Sequence, residues 1–97
     1  MEVKEFKDRL EMVISSGSNG ANNYVIKKTF IKPNNVIEFS VSRVKRLLKV
    51  LKGCGASSVD DVVNALVSGN NIIVMPGQSC LIKSGNKGLE FEELIIG

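Results

Sequence analysis

The chain has 97 residues, of which 43% are hydrophobic, and it carries 13 lysines and arginines against 10 aspartates and glutamates. A chain of this size fits one domain, which we place at residues 1–97, and it buries about 60–68% of its unfolded surface. The sequence has no histidine and only two cysteines. These absences argue against histidine-dependent nucleophilic catalysis, against a histidine or cysteine metal site and against a disulfide framework.

The N-terminal residues and the hydropathy predict a cytoplasmic protein. Residues 1–5 are acidic and amphipathic, which is not the pattern of a secretory signal peptide. The longest apolar runs are far shorter than the roughly 20 residues that a membrane-spanning helix needs. In a reducing compartment we expect Cys54 and Cys80 to be free thiols, with a bridge between them as the alternative.

Apolar spacing at the start of the chain predicts a helix from Glu2 to Ser15. At 100° per residue, five apolar side chains of this segment fall in one narrow stripe. The small and polar residues that follow, with two glycines, cannot continue a helix. They predict a mobile surface loop over 17–23.

Two β-strands are predicted next. Residues 24–32 are rich in β-branched and aromatic side chains, and Pro33-Asn34-Asn35 favours a turn before residues 36–39, so we predict a β-hairpin. Lys27 and Lys28 interrupt the alternation of this first strand. We interpret them as a bulge or as an edge strand protected by lysine, with a role in binding as the alternative.

The centre of the chain predicts a basic amphipathic helix, because no acidic residue lies between Glu38 and Asp60. At 100° per residue, Val41, Val44, Leu47, Leu48, Val50 and Leu51 fill one half of this helix. Five cations fill the other half: Arg43, Lys45, Arg46, Lys49 and Lys52. Ser40 or Ser42 would cap the helix, and Gly53 would end it.

A second helix is predicted from Val59 to Val67, with Asp60 and Asp61 complementing the dipole in its first turn. Residues 71–75, 79–83 and 89–96 predict a three-stranded meander. The complete order is therefore α-β-β-α-α-β-β-β. This mixed order indicates an α+β fold in which helices pack on a mostly antiparallel sheet.

Charge is concentrated in the middle of the chain, where residues 24–52 hold eight cations and Glu38 alone as a counter-charge. Such asymmetry affects binding partners rather than the fold. We interpret the basic helix face at 43–52, together with Lys27 and Lys28, as the binding site of a non-enzymatic regulatory module. Rows of cations neutralise phosphates, so the expected ligand is a polyanion, with nucleic acid slightly favoured.

Two alternatives remain for the same cations. The first is a small adaptor or inhibitor, of the kind that mobile elements encode, whose basic face docks on an acidic site of a larger protein. The second is a solvated surface whose cations pair with Glu90, Glu92 or Glu93 elsewhere in the fold. No cofactor, metal or small-molecule substrate is indicated, so the expected partner is nucleic acid or an acidic protein surface, without a membrane.

Overall fold

The computed structural model describes residues 3–19 and 22–97, and every regular element in these ranges is a β-strand. The strands are β1 (Val3–Glu5), β2 (Arg9–Asn19), β3 (Asn22–Ile31), β4 (Val36–Phe39), β5 (Lys45–Val59), β6 (Val62–Val67), β7 (Asn71–Val74) and β8 (Cys80–Ile96). Neighbouring strands pair antiparallel. Within the described ranges, no helix is long and apolar enough to cross a membrane.

The two longest strands, β5 and β8, each belong to two layers. The first half of β5 lies between β7 and the second half of β8, whereas its second half lies between β6 and the first half of β8. The larger layer therefore has the order β1-β2-β3-β8-β5-β7, and the smaller layer has the order β4-β8-β5-β6. Strands that bend from one layer into the next form the corners of a β-sandwich.

The bend in β5 depends on Gly53. Its φ of 87° lies in the left-handed region, which favours glycine. A Cβ at this position would also collide with the carbonyl oxygen of Gly88 in β8. Opposite the bend, residues 85–88 of β8 leave the ladder, since Gly53 pairs with Leu89 while Gly55 pairs with Ser84. Both long strands thus change direction at the same place.

The hydrophobic core lies between the two layers and draws side chains from both. Phe39 of the smaller layer packs edge-on against Phe91 of the larger layer, with ring centroids 6.5 Å apart. Burial of apolar surface between the layers is the main stabilising contribution. The buried apolar residues are Ile31, Ile37, Leu48, Val50, Leu66, Ile72, Val74, Cys80, Ile82, Leu89 and Phe91.

The predicted α+β fold is wrong, because the three segments predicted as helices contain strands. Residues 3–5 and 9–15 lie in β1 and β2, residues 45–52 lie in β5, and residues 62–67 form β6. In β5, Leu48 and Val50 are buried whereas Lys49 is exposed, which is the period of a strand. An irregularity between Val50 and Lys52 breaks that period, so the apolar residues also fit a helical one.

Asp60 and Asp61 form a two-residue turn rather than the first turn of a helix. Both have positive φ angles, 48° and 67°, as a type I′ hairpin turn requires. The Asp60 carboxylate accepts hydrogen bonds from the backbone N–H of Ser79 and from the side chains of Ser79 and Gln78. The Asp60 carboxylate therefore fixes the contact of the β5–β6 hairpin with the chain before β8.

The strands predicted at 24–32, 36–39 and 71–75 coincide with β3, β4 and β7, but their predicted partners are wrong. β3 lies between β2 and β8, and β4 pairs with β8, so these two strands form no hairpin with each other. β7 pairs with β5. The segments 79–83 and 89–96 were predicted as two strands, but apart from Ser79 both belong to the single strand β8.

Lys27 and Lys28 lie on an interior strand, so their interpretation as a protected edge is also wrong. The bulge lies in the neighbouring strand β2, between Val13 and Ser15. Of the loop predicted at 17–23, residues 17–19 continue β2 and residues 22 and 23 begin β3. The remaining part of that loop, residues 20 and 21, lies outside the described residues.

Candidate ligand-binding site

The five cations predicted to share one helix face are distributed over both sides of the larger layer and beyond its end. Because alternate residues of a strand face opposite sides, Lys45 and Lys49 lie on the outer side, whereas Arg46 lies on the same side as buried Leu48. Arg43 precedes β5, and Lys52 is exposed next to the bend. The basic helix face therefore does not exist, and a binding module based on it is ruled out.

Lys27 and Lys28 are likewise divided between the two sides of the sheet. Lys28 lies on the outer side, where its Nζ is 3.0 Å from an oxygen of Glu90. Lys27 lies on the inner side, where its Nζ is 2.7 Å from an oxygen of Glu11. Of the seven cations predicted as a binding site, the structure thus brings only Lys27 and Arg46 to the interior of the sandwich.

These two cations line a polar cavity at the mouth of the sandwich, between the larger layer and the edge strand β4. Its volume is about 370 Å³, at the small end of the range for ligand pockets. We call it the mouth cavity. The residues that line it are Asp8, Arg9, Glu11, Lys27, Val36, Ile37, Glu38, Phe39 and Arg46.

Arg46 and Glu93 form a buried ion pair beside the mouth cavity. The Arg46 Nη1 atom donates to Glu93 Oε2 over 2.6 Å, and the exposed fractions of the two side chains are 18% and 1%. The guanidinium carbon lies 4.8 Å from the centroid of the Phe39 ring, which adds a cation–π contact. A carboxylate this deeply buried is tolerated because a cation is bound to it.

A second cluster of charges lies across the sheet from the first. Glu11 is bound by two cations, with its Oε2 atom 2.5 Å from Arg9 Nε and its Oε1 atom 2.7 Å from Lys27 Nζ. Arg9 is also 2.8 Å from Asp8. Since Lys27 is directly opposite Glu93 in the ladder between β3 and β8, the two clusters form one charged row across the sheet.

The pKa of Glu11 is lowered, because the hydrogen bonds and charges of Arg9 and Lys27 together outweigh burial, which alone would raise it. A carboxyl group whose pKa is depressed in the folded state stabilises that state above its unfolded pKa. This contribution is lost as the pH falls through the folded-state pKa, which lies below the usual pKa of a glutamate. We therefore expect Glu11→Gln to lower the free energy of unfolding at pH 7 and to have a much smaller effect at pH 3. Urea unfolding of both proteins at the two pH values measures this, and a pH-independent difference would contradict it.

The Cys80 thiol adjoins the same ion pair from the smaller layer. Burial, followed by the nearby Glu93 carboxylate, raises the pKa of Cys80 to about 11, although Arg46 acts in the opposite direction. The thiol is therefore protonated at neutral pH and is a poor nucleophile. Both cysteines are free, Cys80 in the core and Cys54 on the surface.

The donor set of the mouth cavity does not suit a metal ion. Among residues 3–19 and 22–97, no group of three or more histidine, cysteine, aspartate or glutamate side chains could hold one. The carboxylates of Asp8, Glu11 and Glu93 already bind cations. The unused hydrogen-bonding capacity is on the cations: in the described part of the chain, the Arg46 guanidinium makes one hydrogen bond out of five donors.

Sequence reasoning missed Arg9 and Glu11, and it named Glu93 only as a counter-charge on a solvated surface, whereas the Arg46–Glu93 pair is buried. The sequence did indicate a core position for Glu93, because Leu89, Phe91 and Ile95 are alternate residues that face the same side of the strand. A carboxylate at a core position of a strand must bind a cation or a ligand. This pattern was overlooked because Glu90, Glu92 and Glu93 were interpreted as counter-charges on a solvated surface.

Several solved structures have a fold similar to that of this chain. The cupin-2 domain protein Rru_A2000 from Rhodospirillum rubrum has a TM-score of 0.85 and 14% identity, covering 97% of this chain and 68% of that chain. KdgF from Halomonas sp. has a TM-score of 0.85 and 7% identity, covering 98% and 86%. A variant of oxalate decarboxylase from Bacillus subtilis has a TM-score of 0.82 and 12% identity, covering 97% of this chain and 26% of that chain.

No protein-family model and no curated protein matches the sequence. Structural likeness at these identities shows the fold and not the activity. The two layers and the shared strands β5 and β8 are thus those of a cupin-like β-sandwich.

Proposed function

We propose that this chain is a binding domain for a small carboxylate, which it holds in the mouth cavity through Arg46 and Lys27. The observation that carries the proposal is the unused donor capacity of Arg46, whose guanidinium makes one hydrogen bond out of five donors in the described part of the chain. Three cations, Arg9, Lys27 and Arg46, and three carboxylates, Asp8, Glu11 and Glu38, line the cavity. Arg9 and Lys27 bind Asp8 and Glu11, which leaves the free donors of Arg46 for a ligand.

Hydrogen-bonding geometry favours a carboxylate over a larger anion. The planar guanidinium of Arg46 suits a carboxylate, which it can bind through two parallel N–H donors. Phe39 lies against the guanidinium and contributes an apolar wall to the cavity, where water screens charge less. A volume of about 370 Å³ accommodates only a small molecule. Oxalate decarboxylase, which has a similar fold, acts on a small carboxylate, as its name states.

The proposal is for binding without catalysis. The lowered pKa of Glu11 keeps that carboxylate ionised at neutral pH, so it is poorly matched to general acid–base chemistry there. The Cys80 thiol is protonated. The nucleic-acid and acidic-protein partners expected from the sequence stay predictions, although the helix face that was to bind them does not exist.

Titration with small carboxylates, followed by amide chemical shifts in NMR, tests the proposal. The panel is oxalate, malonate and succinate, each against its uncharged diamide, at concentrations up to 10 mM. We expect at least one carboxylate to shift the amides of Lys27, Phe39 and Arg46, while its diamide does not. Removal of one charged hydrogen bond by Lys27→Gln should weaken binding about 10- to 100-fold.

The matched control is Lys49→Gln, which removes a lysine from the exposed outer side of the same layer and should leave the affinity unchanged. An equal loss of affinity in the two variants would show a response to net charge alone. Equal binding of carboxylate and diamide, or no shift at the mouth cavity with any carboxylate, would overturn the proposal.

A further inference from the structure

The edges of the larger layer are β1, the part of β2 beyond it (residues 13–19) and β7, and those of the smaller layer are β4 and β6. Natural proteins discourage pairing at such edges by short strands, charged residues and proline. β1 has three residues, including Lys4 and Glu5, and β4 has four residues, including Glu38. β7 also has four residues, and Pro76 follows two positions after its end. Each of these three edges is therefore protected.

The part of β2 beyond β1 carries a bulge between Val13 and Ser15, which also discourages pairing. The remaining edge, β6, has none of these protections. It is six residues long, Val-Val-Asn-Ala-Leu-Val, and contains no charged residue and no proline. Val62, Val63 and Val67 are 63%, 69% and 55% exposed. An exposed, uncharged and β-branched edge of this kind favours the addition of another strand.

Along β6, the backbone groups available to pair with another strand are those of Val63 and Ala65. Since a two-residue turn joins Val59 to Val62, the backbone groups of every second residue from Val63 point away from β5. Those of Val67 are already bound: its N–H donates to Asn70 Oδ1 over 2.8 Å, and its carbonyl oxygen accepts the Asn70 N–H over 3.1 Å. Within the described ranges, the backbone N–H and C=O groups of Val63 and Ala65, which point away from β5, make no hydrogen bond.

We propose that β6 pairs antiparallel with β6 of a second copy of this chain, about a two-fold axis through Asn64. In this register Val63 is opposite Ala65 of the second copy, and Ala65 is opposite its Val63. The free backbone groups of these residues form four hydrogen bonds between the copies. The register follows from the Asn70 contact, because a pairing centred on Ala65 would need the groups of Val67 that Asn70 occupies.

Charge favours a second copy in this orientation. The uncharged segment from Val62 to Val67 places no like charges against each other when it pairs with itself. The acidic turn of Asp60 and Asp61 lies at one end of β6, so antiparallel pairing separates the two turns, whereas parallel pairing would bring four carboxylates together. The contact is small compared with a standard interface of about 1,600 Å², so the dimer should form only at high protein concentration.

Sedimentation equilibrium from about 10 μM to 1 mM tests whether the dimer forms, a range in which a small interface dissociates. We expect the mean mass to rise from 10.5 kDa toward twice that value. Ala65→Pro should abolish the rise, because it removes the free N–H at an edge position where proline is otherwise tolerated. Ala65→Val, which keeps the N–H, should retain it. A mass of 10.5 kDa throughout, or a dimer that persists in Ala65→Pro, would overturn the proposal.

Disulfide formation tests the register. Asn64→Cys, in a background with Cys54→Ser, places two thiols at a non-hydrogen-bonded antiparallel pair, where the Cα atoms are close. It should form a covalent dimer at least about tenfold faster than Val67→Cys in the same background, because only residue 64 meets itself across the axis. Equal rates for the two variants would overturn the register, as would faster cross-linking of Ala65→Cys than of Asn64→Cys.

Discussion

Replacement of Arg46 by alanine should lower the free energy of unfolding by about 3–5 kcal/mol, since it leaves a buried carboxylate without its cation. Glu93 is 1% exposed and is bound by Arg46 over 2.6 Å. The variant also loses the contact of the guanidinium with the ring of Phe39. Urea unfolding at pH 7, followed by circular dichroism, measures the change.

Two further variants separate the ion pair from other causes. Lys49→Ala removes an exposed lysine from the same strand and should change the free energy of unfolding by less than about 0.5 kcal/mol. The double variant Arg46→Met with Glu93→Leu should recover most of the loss, because a buried ion pair replaced by apolar side chains is often neutral or stabilising. If Arg46→Ala costs less than about 1 kcal/mol, the buried carboxylate does not depend on its cation, and the account of this pair is wrong.

Gly53→Ala should lower the free energy of unfolding by about 2–5 kcal/mol, through two separable effects. A positive φ costs an alanine about 1–2 kcal/mol, and the φ of Gly53 is 87°. The added Cβ would also collide with the carbonyl oxygen of Gly88, and such overpacking costs about 1–3 kcal/mol. Thermal or urea unfolding gives the sum of the two effects.

Gly77 provides a matched control for the backbone effect. Its φ is 86°, almost that of Gly53, but no atom lies within 4 Å of the Cβ that an alanine would add. Gly77→Ala should therefore cost only about 1–2 kcal/mol. Equal losses in the two variants would show that the bend in β5 relaxes around the new methyl group.

Local signals predicted the positions of several strands but not the class of the fold. Residues 24–32, 36–39 and 71–75 combine β-branched or aromatic side chains with nearby proline, asparagine or glycine, and these segments are strands. The basic segment at 43–52 was predicted as a helix, but residues 45–52 belong to strand β5, so its cations lie on both sides of the sheet. Leu47 and Leu48 lie on opposite sides of the strand, and the alternation breaks between Val50 and Lys52, so the apolar residues also fit a period of 100° per residue.

The candidate site was predictable only in part, because its geometry depends on contacts between distant residues. Lys27 and Arg46 belonged to the predicted set, but nothing near them in the sequence indicates that they point inward. Arg46 meets its carboxylate 47 residues later in the chain, and Lys27 meets Glu11 on the neighbouring strand. Such pairs follow from strand register, which the charge pattern does not encode.

The position of β8 has a consequence for synthesis of the protein. β8 lies in the middle of both layers, between β3 and β5 in the larger and between β4 and β5 in the smaller. Until residues 80–96 have left the ribosome, neither layer has its central strand. β3 and β5 each lack one neighbouring strand, and β4 lacks its only pairing partner. Non-local pairing of this kind is slow. The nascent chain therefore exposes apolar strands until β8 emerges. We expect chaperones to be most important during this interval.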